Sequence, residues 1–486
     1  MIKESFGRIS KITGSKIIVN VEIPDVINKV HLSGFVLKYT SIGSLLGTRL
    51  VDGRILVLVV EEIYKHEKEC FISTAISGVY DVILKKFTFG TNSYPLIGEQ
   101  VIALDDDVLH CIFSPMVDAM KSTIGTYVYN RVIPVGYNAD VLFGKHLGVF
   151  GNTGSGKTCT VVSVIQNYIR NNPRKDIKFI ILDVNGEYRT AFDEREMDYY
   201  PFESLCFPHT TLNSVEYGKL FRASEGVQYP ALRDGISNLS NNGKVSWDLN
   251  LLTNELSQWI LKNGSDNFSK NQLTGYLRTM ELRIESILGD SLLMGVINSL
   301  DRECTLEQIF RSDKRVHILD LQVSSDSMDI VLYLLFKSVY QEKTKSRSST
   351  HLSLVLEEAH RYINSNSEET KLGSYYIDKL SREGRKFGIG LVVSSQVPSM
   401  LSQEIVSQCN SIIMHKITNR RDMEFLRGVL RISNDTFYMQ MNALEKQHAV
   451  VCGEAFSNDV VVRIHDAKPL PRSSDPVITD KTLSDF

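Results

Sequence analysis

Apolar and polar positions follow two different rhythms along this chain. Up to about residue 90 the apolar residues come in short strand-like runs, alternating in Ile17-Ile18-Val19-Asn20-Val21 and followed by Ile55-Leu56-Val57-Leu58-Val59-Val60 and Cys70-Phe71-Ile72-Ser73-Thr74-Ala75. Turn residues such as Thr13-Gly14-Ser15 recur between them, and Pro95-Leu96-Ile97-Gly98-Glu99-Gln100-Val101 adds one more turn and strand. Short alternating strands at this spacing predict a small β-barrel or sandwich. From 146 onward, continuous apolar runs alternate with longer helical segments. The runs are Leu147–Phe150, Phe179–Leu182, Val316–Leu319, Leu352–Leu356 and Ile389–Val393. Continuous apolar runs mark strands buried on both faces, so this part predicts a parallel sheet covered by helices on both sides. The span 195–312 reads as a helical insertion between two sheet strands. Glu342–Thr350 and Asn364–Lys371 read as loops.

The chain has 486 residues, too many for one ordinary domain. Apolar residues make up 43% and charged residues 23%, the balance of a globular protein. No run of about 18 apolar residues predicts a membrane span. The start, MIKESFGRIS, lacks the apolar core of a secretory signal. Seven cysteines are scattered without a CxxC pair, which speaks against a disulfide framework or a zinc site and for a reducing cytoplasm. A net charge of -3 leaves nucleic-acid contact to a local patch, such as a channel lining.

One motif carries specific chemistry. Gly151-Asn152-Thr153-Gly154-Ser155-Gly156-Lys157-Thr158 fits G-x-x-x-x-G-K-[ST] at every position. Glycines let successive backbone N–H groups turn toward phosphate oxygens, and the following helix presents its positive end to the same group. Lys157 brings a point charge to the β and γ phosphates, and Thr158 offers a hydroxyl to Mg²⁺. The cradle together with Cys159, which follows it, is the predicted ATP contact. An apolar strand precedes it and a helical Val161-Val162-Ser163-Val164-Ile165 follows.

Carboxylates arrive at the ends of other strands, where ligands of parallel sheets sit. Glu357 and Glu358 end the run Leu354-Val355-Leu356; the first is the candidate Mg²⁺ ligand and the second the candidate that polarises the attacking water. Asp183, at the head of Asp183-Val184-Asn185-Gly186-Glu187-Tyr188, brings further acids to an edge, or else builds a turn, and Asp320 is open to the same two readings. Gln396, after Ser394-Ser395, can report on the γ-phosphate. Arg382, Arg385 and Lys386 share one face if helical, and a fixed arginine answers the charge of the phosphoryl transition state. Arg420 and Arg421 are weaker candidates for that role.

Taken together, GNTGSGKT, DVNGEY, LVLEEAHRYI and SREGRKFGIGLVVSSQVPSMLSQEIVSQCN resemble the HerA-type hexameric ATPases of the HerA/FtsK superfamily. The last run is the most specific, and Leu444–Glu454 is similar to the family's closing strand pair. The resemblance implies a barrel domain at 1–115 of the HAS-barrel kind, a connector at 116–145, a RecA-like P-loop ATPase domain at 146–466 and a tail at 467–486. It implies a homo-hexameric ring hydrolysing ATP with Mg²⁺ at subunit boundaries and moving double-stranded DNA through its channel. One subunit would supply Lys157, Thr158, Glu357, Glu358 and Gln396, and a neighbour an arginine from among Arg382, Arg385, Arg420 and Arg421. Lys145 stands where the family often carries a basic residue. Family members work with an effector, a nuclease or a Sir2-like enzyme, that docks on the barrel, in DNA end processing or defence against phage. A nucleotide-dependent scaffold that organises such an effector is the alternative.

Overall fold

The computed structural model describes residues 5–21, 41–114, 122–172, 177–241, 246–299, 301–346, 350–363, 372–430 and 436–472. The loop predicted at 364–371 and most of the tail beyond 472 lie outside the described residues. By its internal contacts the chain divides into two compact units. One comprises Met1–Arg174, Thr190–Phe192 and Leu391–Phe486, and the other Lys175–Arg189 and Asp193–Gly390.

The first unit opens with β1 (Ser5–Thr13), β2 (Lys16–Val21), β3 (Leu45–Arg49), β4 (Ile55–His66), β5 (Glu69–Asp81), β6 (Lys86–Phe89) and β7 (Gln100–Ala103). They pair in the order β2-β1-β7-β3-β4-β5, and β2 also pairs with β5, so six strands close into a barrel with β6 added outside β5. The period-two pattern explains the core. On β2, Ile17, Val19 and Val21 point inward, where they meet Ile9, Leu46, Leu56, Leu58, Val60, Ile72 and Val101. Closure removes exposed strand edges, which an open small sheet would leave free to pair with other chains.

Eleven further strands follow in the chain: β8 (Thr123–Tyr127), β9 (Asn130–Gly136), β10 (His146–Phe150), β11 (Ile177–Asp183), β12 (Met197–Tyr200), β13 (Val316–Asp320), β14 (His351–Leu356), β15 (Ile389–Ser395), β16 (Ser411–Met414), β17 (His448–Gly453) and β18 (Val460–Ile464). In the first unit their order is β15-β10-β16-β17-β18-β8-β9. β10 lies parallel to both β15 and β16, and from β16 to β9 every pairing is antiparallel. The stretch read as a connector therefore contributes a hairpin, β8–β9, to this sheet. Ile124, Tyr127, Ile133 and Val135 are buried there, too short a pattern to announce a sheet edge.

The second unit holds four parallel strands in the order β12-β13-β11-β14. All seven residues of β11 are buried, as expected for a strand covered on both faces. The span read as helical from 195 opens instead with β12. Its four residues are too few to show periodicity, and their pairing with β13 is a tertiary fact. Helices from Ser214–Leu220 to Thr305–Arg311 then fill the chain up to β13. One buried group among their ties to the rest of the unit is Glu216. Glu216 closes a capping box with Asn213 and also accepts from the hydroxyls of Tyr333 and Tyr376, each at 3.0 Å. Lys337, 2% exposed, pairs with the same carboxylate and donates to the Thr211 carbonyl at 2.6 Å. Among the described residues no helix is long and apolar enough to cross a membrane.

Candidate nucleotide site

Strand β10 is buried along its whole length and delivers the chain into the glycine loop. Gly154 at φ +71° and Gly156 at φ +109° take left-handed conformations, and Gly156 caps the helix Lys157–Asn171. That helix therefore begins at the cradle with its first N–H groups facing it. A Cβ on Gly151 would stand 2.6 Å from Cβ of His415, so no larger residue fits that position. The Lys157 side chain is nearly buried, with Nζ 3.1 Å from the Asn152 carbonyl.

Neighbouring strands brace the loop. Asn152 donates its backbone N–H to Lys416 O at 2.9 Å and its side-chain amide to Thr418 Oγ1 at 2.7 Å. Gln396, just past β15, accepts from the Thr153 hydroxyl, so the predicted sensor touches the cradle directly. Sequence reasoning missed His415. It is fully buried, its Nδ1 donates to His448 O at 3.1 Å, and Nε2 then accepts from Thr160 Oγ1 at 2.8 Å. Burial brings its pKa down to about 4, helped by the charge of Lys157 and opposed by the hydrogen bond to His448. A neutral imidazole thus joins the cradle helix to β17. The signal for it was only its place after the apolar run of β16.

In the second unit the predicted acids take distinct positions. Asp183, 1% exposed, accepts the backbone N–H groups of Gly186 at 2.8 Å, Glu187 at 3.1 Å and Tyr188 at 3.0 Å. Burial raises its pKa against those bonds. It builds the turn as a buried acid, not a solvated one. Asp320 accepts from the Tyr199 hydroxyl at 2.6 Å and from Gln322 N at 3.0 Å, again at the end of a strand.

Glu357 is 1% exposed, and its Oε2 accepts from the Tyr188 hydroxyl at 2.5 Å. The Tyr188 pKa is pushed far up by burial and by the charge of Glu357. Tyr362 donates to the Glu357 carbonyl at 3.0 Å. Glu358 is 5% exposed and sits at φ +46°, ψ +47°. A left-handed glutamate costs on the order of 1–3 kcal/mol and persists only where its surroundings impose it, a pattern concentrated at functional sites. Arg361 binds back to the Val184 carbonyl and the Asn185 side chain, so the two acid-bearing turns are joined.

Arg382 ends the helix Leu372–Glu383 and is exposed; Arg385 is half-buried in a 3₁₀ turn, Gly384–Phe387. The condition for one α-helical face over Arg382, Arg385 and Lys386 holds only as far as Glu383, where the α-helix gives way to the 3₁₀ turn. Gly388, at φ +70°, closes the segment, and the tighter turn rotates Lys386 off the α-helical i+4 position. Arg420, 92% exposed, pairs with Glu424 at 2.8 Å one helical turn away. Lys145 pairs with Glu454, which also accepts from Asn410 at 2.7 Å.

The cradle fits a nucleoside triphosphate: glycines at positive φ, a helix N-terminus, an enclosed lysine and a position no Cβ could occupy. For Mg²⁺, Thr158 supplies a hydroxyl on the first turn of that helix. Among the described residues no cluster of three His, Cys, Asp or Glu side chains stands ready to hold a metal. A hydroxyl beside a phosphate cradle suits Mg²⁺, which keeps waters and takes phosphate oxygens with few protein ligands.

The family model for the central domain of helicase HerA matches residues 122–339. The DNA double-strand break repair helicase HerA of Saccharolobus solfataricus is 26% identical over 406 residues, covering 79% of this chain and 75% of that protein. The enzyme of the same name from Pyrococcus furiosus is 24% identical over 422 residues, 77% of this chain and 74% of that protein. The structure of VirB4 of Thermoanaerobacter pseudethanolicus superposes with a TM-score of 0.52 at 12% identity, covering 71% of this chain and 96% of that one, a likeness of fold. With its phosphate cradle and α/β fold, the chain is similar to the HerA-type P-loop ATPases.

Proposed function

We propose that this ATPase works as a homo-hexameric ring that translocates along or unwinds double-stranded DNA. In this reading it acts with an effector, a nuclease or a Sir2-like enzyme, docked on the barrel, in DNA end processing or anti-phage defence. The observation that carries the motor reading is the braced cradle, with Gln396 on Thr153 and Lys157 enclosed, in a chain that shares three-quarters of its length with proteins named as DNA repair helicases.

Each residue then has a chemical task. The N–H groups of 154–159 and Lys157 hold the phosphates and offset the charge that builds up as the γ-phosphoryl leaves. Thr158 and Glu357 are the residues that would hold Mg²⁺, which when bound would supply positive charge to the phosphates. Glu358 takes up the proton of the attacking water. Gln396, bonded to Thr153, registers the γ-phosphate and carries its loss into β15. Arg382 or Arg385 of a neighbouring subunit completes the site. The test is steady-state ATPase activity at low salt with and without double-stranded DNA, beside the particle mass. Stimulation by DNA in a particle six times the chain mass is expected. Activity indifferent to DNA, or abolished by neither Lys157→Ala nor Glu358→Gln, refutes the reading.

A further inference from the structure

A histidine stands beside the proposed base, and the reaction as described gives it no task. His360 Nδ1 lies 3.3 Å from Oε2 of Glu358, with the two side chains 19% and 6% exposed. We infer that His360 is the positioning residue of Glu358, holding its carboxylate as an oriented anion for the attacking water.

Three features of the turn support this. The backbone of Glu358 is left-handed, which turns the carboxylate away from the direction a regular strand end would give it. The 3₁₀ turn Ala359–Arg361 brings the ring of residue 360 back toward residue 358, and it is locked by Arg361 N to Glu358 O at 2.9 Å and Ile363 N to Ala359 O at 2.8 Å. Arg361 fastens the same turn to Val184 and Asn185, so the ring and the carboxylate sit on a fixed support. The approach of Nδ1 is off the line of a formed hydrogen bond, and the contact is electrostatic in this geometry. Catalytic contacts commonly tighten from such loose arrangements once substrate is bound. A ring nitrogen at this distance, on a turn held from both sides, fixes the direction of the carboxylate.

The inference rests on Glu358 being the water-activating carboxylate, and the experiment separates the two. Steady-state ATPase kinetics are measured with Mg²⁺ and double-stranded DNA on the full chain, alongside direct binding of a fluorescent ATP analogue. Glu358→Gln tests the assignment: turnover disappears and the analogue still binds. His360→Ala is expected to lower kcat by roughly 10-fold or more, with KM and analogue affinity within about twofold of the parent. His360→Asn places an amide N–H near the Nδ1 position and recovers a large part of that loss, which a purely packing role would not do. Should Glu358→Gln abolish turnover while His360→Ala leaves kcat unchanged, His360 has no positioning role. An equal loss in the Ala and Asn variants, or a change confined to KM, overturns it as well. Turnover that survives Glu358→Gln instead places the fault in the assignment of the base.

Discussion

Replacing Lys337 by methionine keeps the length and volume of the side chain and deletes one buried charge. In the parent, its ammonium neutralises Glu216 and donates to the Thr211 carbonyl. In the variant the Glu216 carboxylate, 7% exposed, keeps the Asn213 N–H at 2.7 Å and the hydroxyls of Tyr333 and Tyr376 as donors, but has no counter-charge. Breaking one side of a buried pair costs about 3–5 kcal/mol, and three surviving donors put this case near the lower end, about 3 kcal/mol. At about 2–4 °C per kcal/mol, that is a fall of about 6–12 °C in the transition seen by scanning calorimetry. The partner change Glu216→Gln removes the orphaned charge, so the double variant should regain more than half of the loss. Acid gives a second readout. Burial raises the Glu216 pKa, but the Lys337 hydrogen bond and charge and the Asn213 N–H outweigh it, and the net shift is downward. A depressed carboxylate contributes stability above its ordinary value of 4.5, and that stability is lost as pH falls through the folded-state pKa. The Lys337→Met protein should lack this acid-sensitive contribution. A single variant within about 2 °C of the parent, or a double variant no more stable than the single, refutes the reasoning.

Tyr188→Phe removes the hydroxyl that Glu357 accepts from, leaving a buried carboxylate short of a donor, and should cost about 1.5–3 kcal/mol in urea unfolding; an unshifted midpoint would show that the bond contributes nothing. Gly151→Ala forces a Cβ to 2.6 Å from His415, displaces the loop, and should weaken binding of a fluorescent ATP analogue by roughly 10-fold or more; parent-like affinity would mean that the loop yields freely. His209, His317 and His415 are each brought by burial to about 4, below the ordinary histidine value of 6.5. Between those values the unfolded chain binds protons that the native chain refuses, so stability should fall on acidification by up to about 1.4 kcal/mol per pH unit for each histidine. A urea midpoint constant between pH 7 and pH 5 would contradict this.

What could be read in advance was whatever local chemistry encodes by itself. The cradle needs glycine and lysine at fixed spacing, so residues 151–158 announced it, and the barrel strands showed because one face of each is buried. Residues whose roles depend on distant partners stayed hidden. His415 acts through His448 O and Thr160, and Glu216 through Tyr333, Lys337 and Tyr376, separations that no window of sequence spans. β12 was lost inside a helical span because four residues carry no period. Asp183 and Glu357 looked alike as acids ending strands. Their surroundings divide them, one consumed by backbone donors and the other held by a tyrosine. Lys386 shared a face with the arginines only if the segment were α-helical, and a 3₁₀ turn from Gly384 replaces the α-helix there.

The left-handed backbone at Glu358 also bears on how the protein can be improved. Asparagine tolerates that conformation far better than glutamate, and it carries no charge to bury. Glu358→Asn should therefore melt higher than the parent, by the equivalent of about 1 kcal/mol, while losing turnover. A stability-guided redesign blind to chemistry would choose this substitution early and deliver a sturdier, inert protein. Thermal shift alone would rank it a success, so any such programme on this chain has to screen for hydrolysis first.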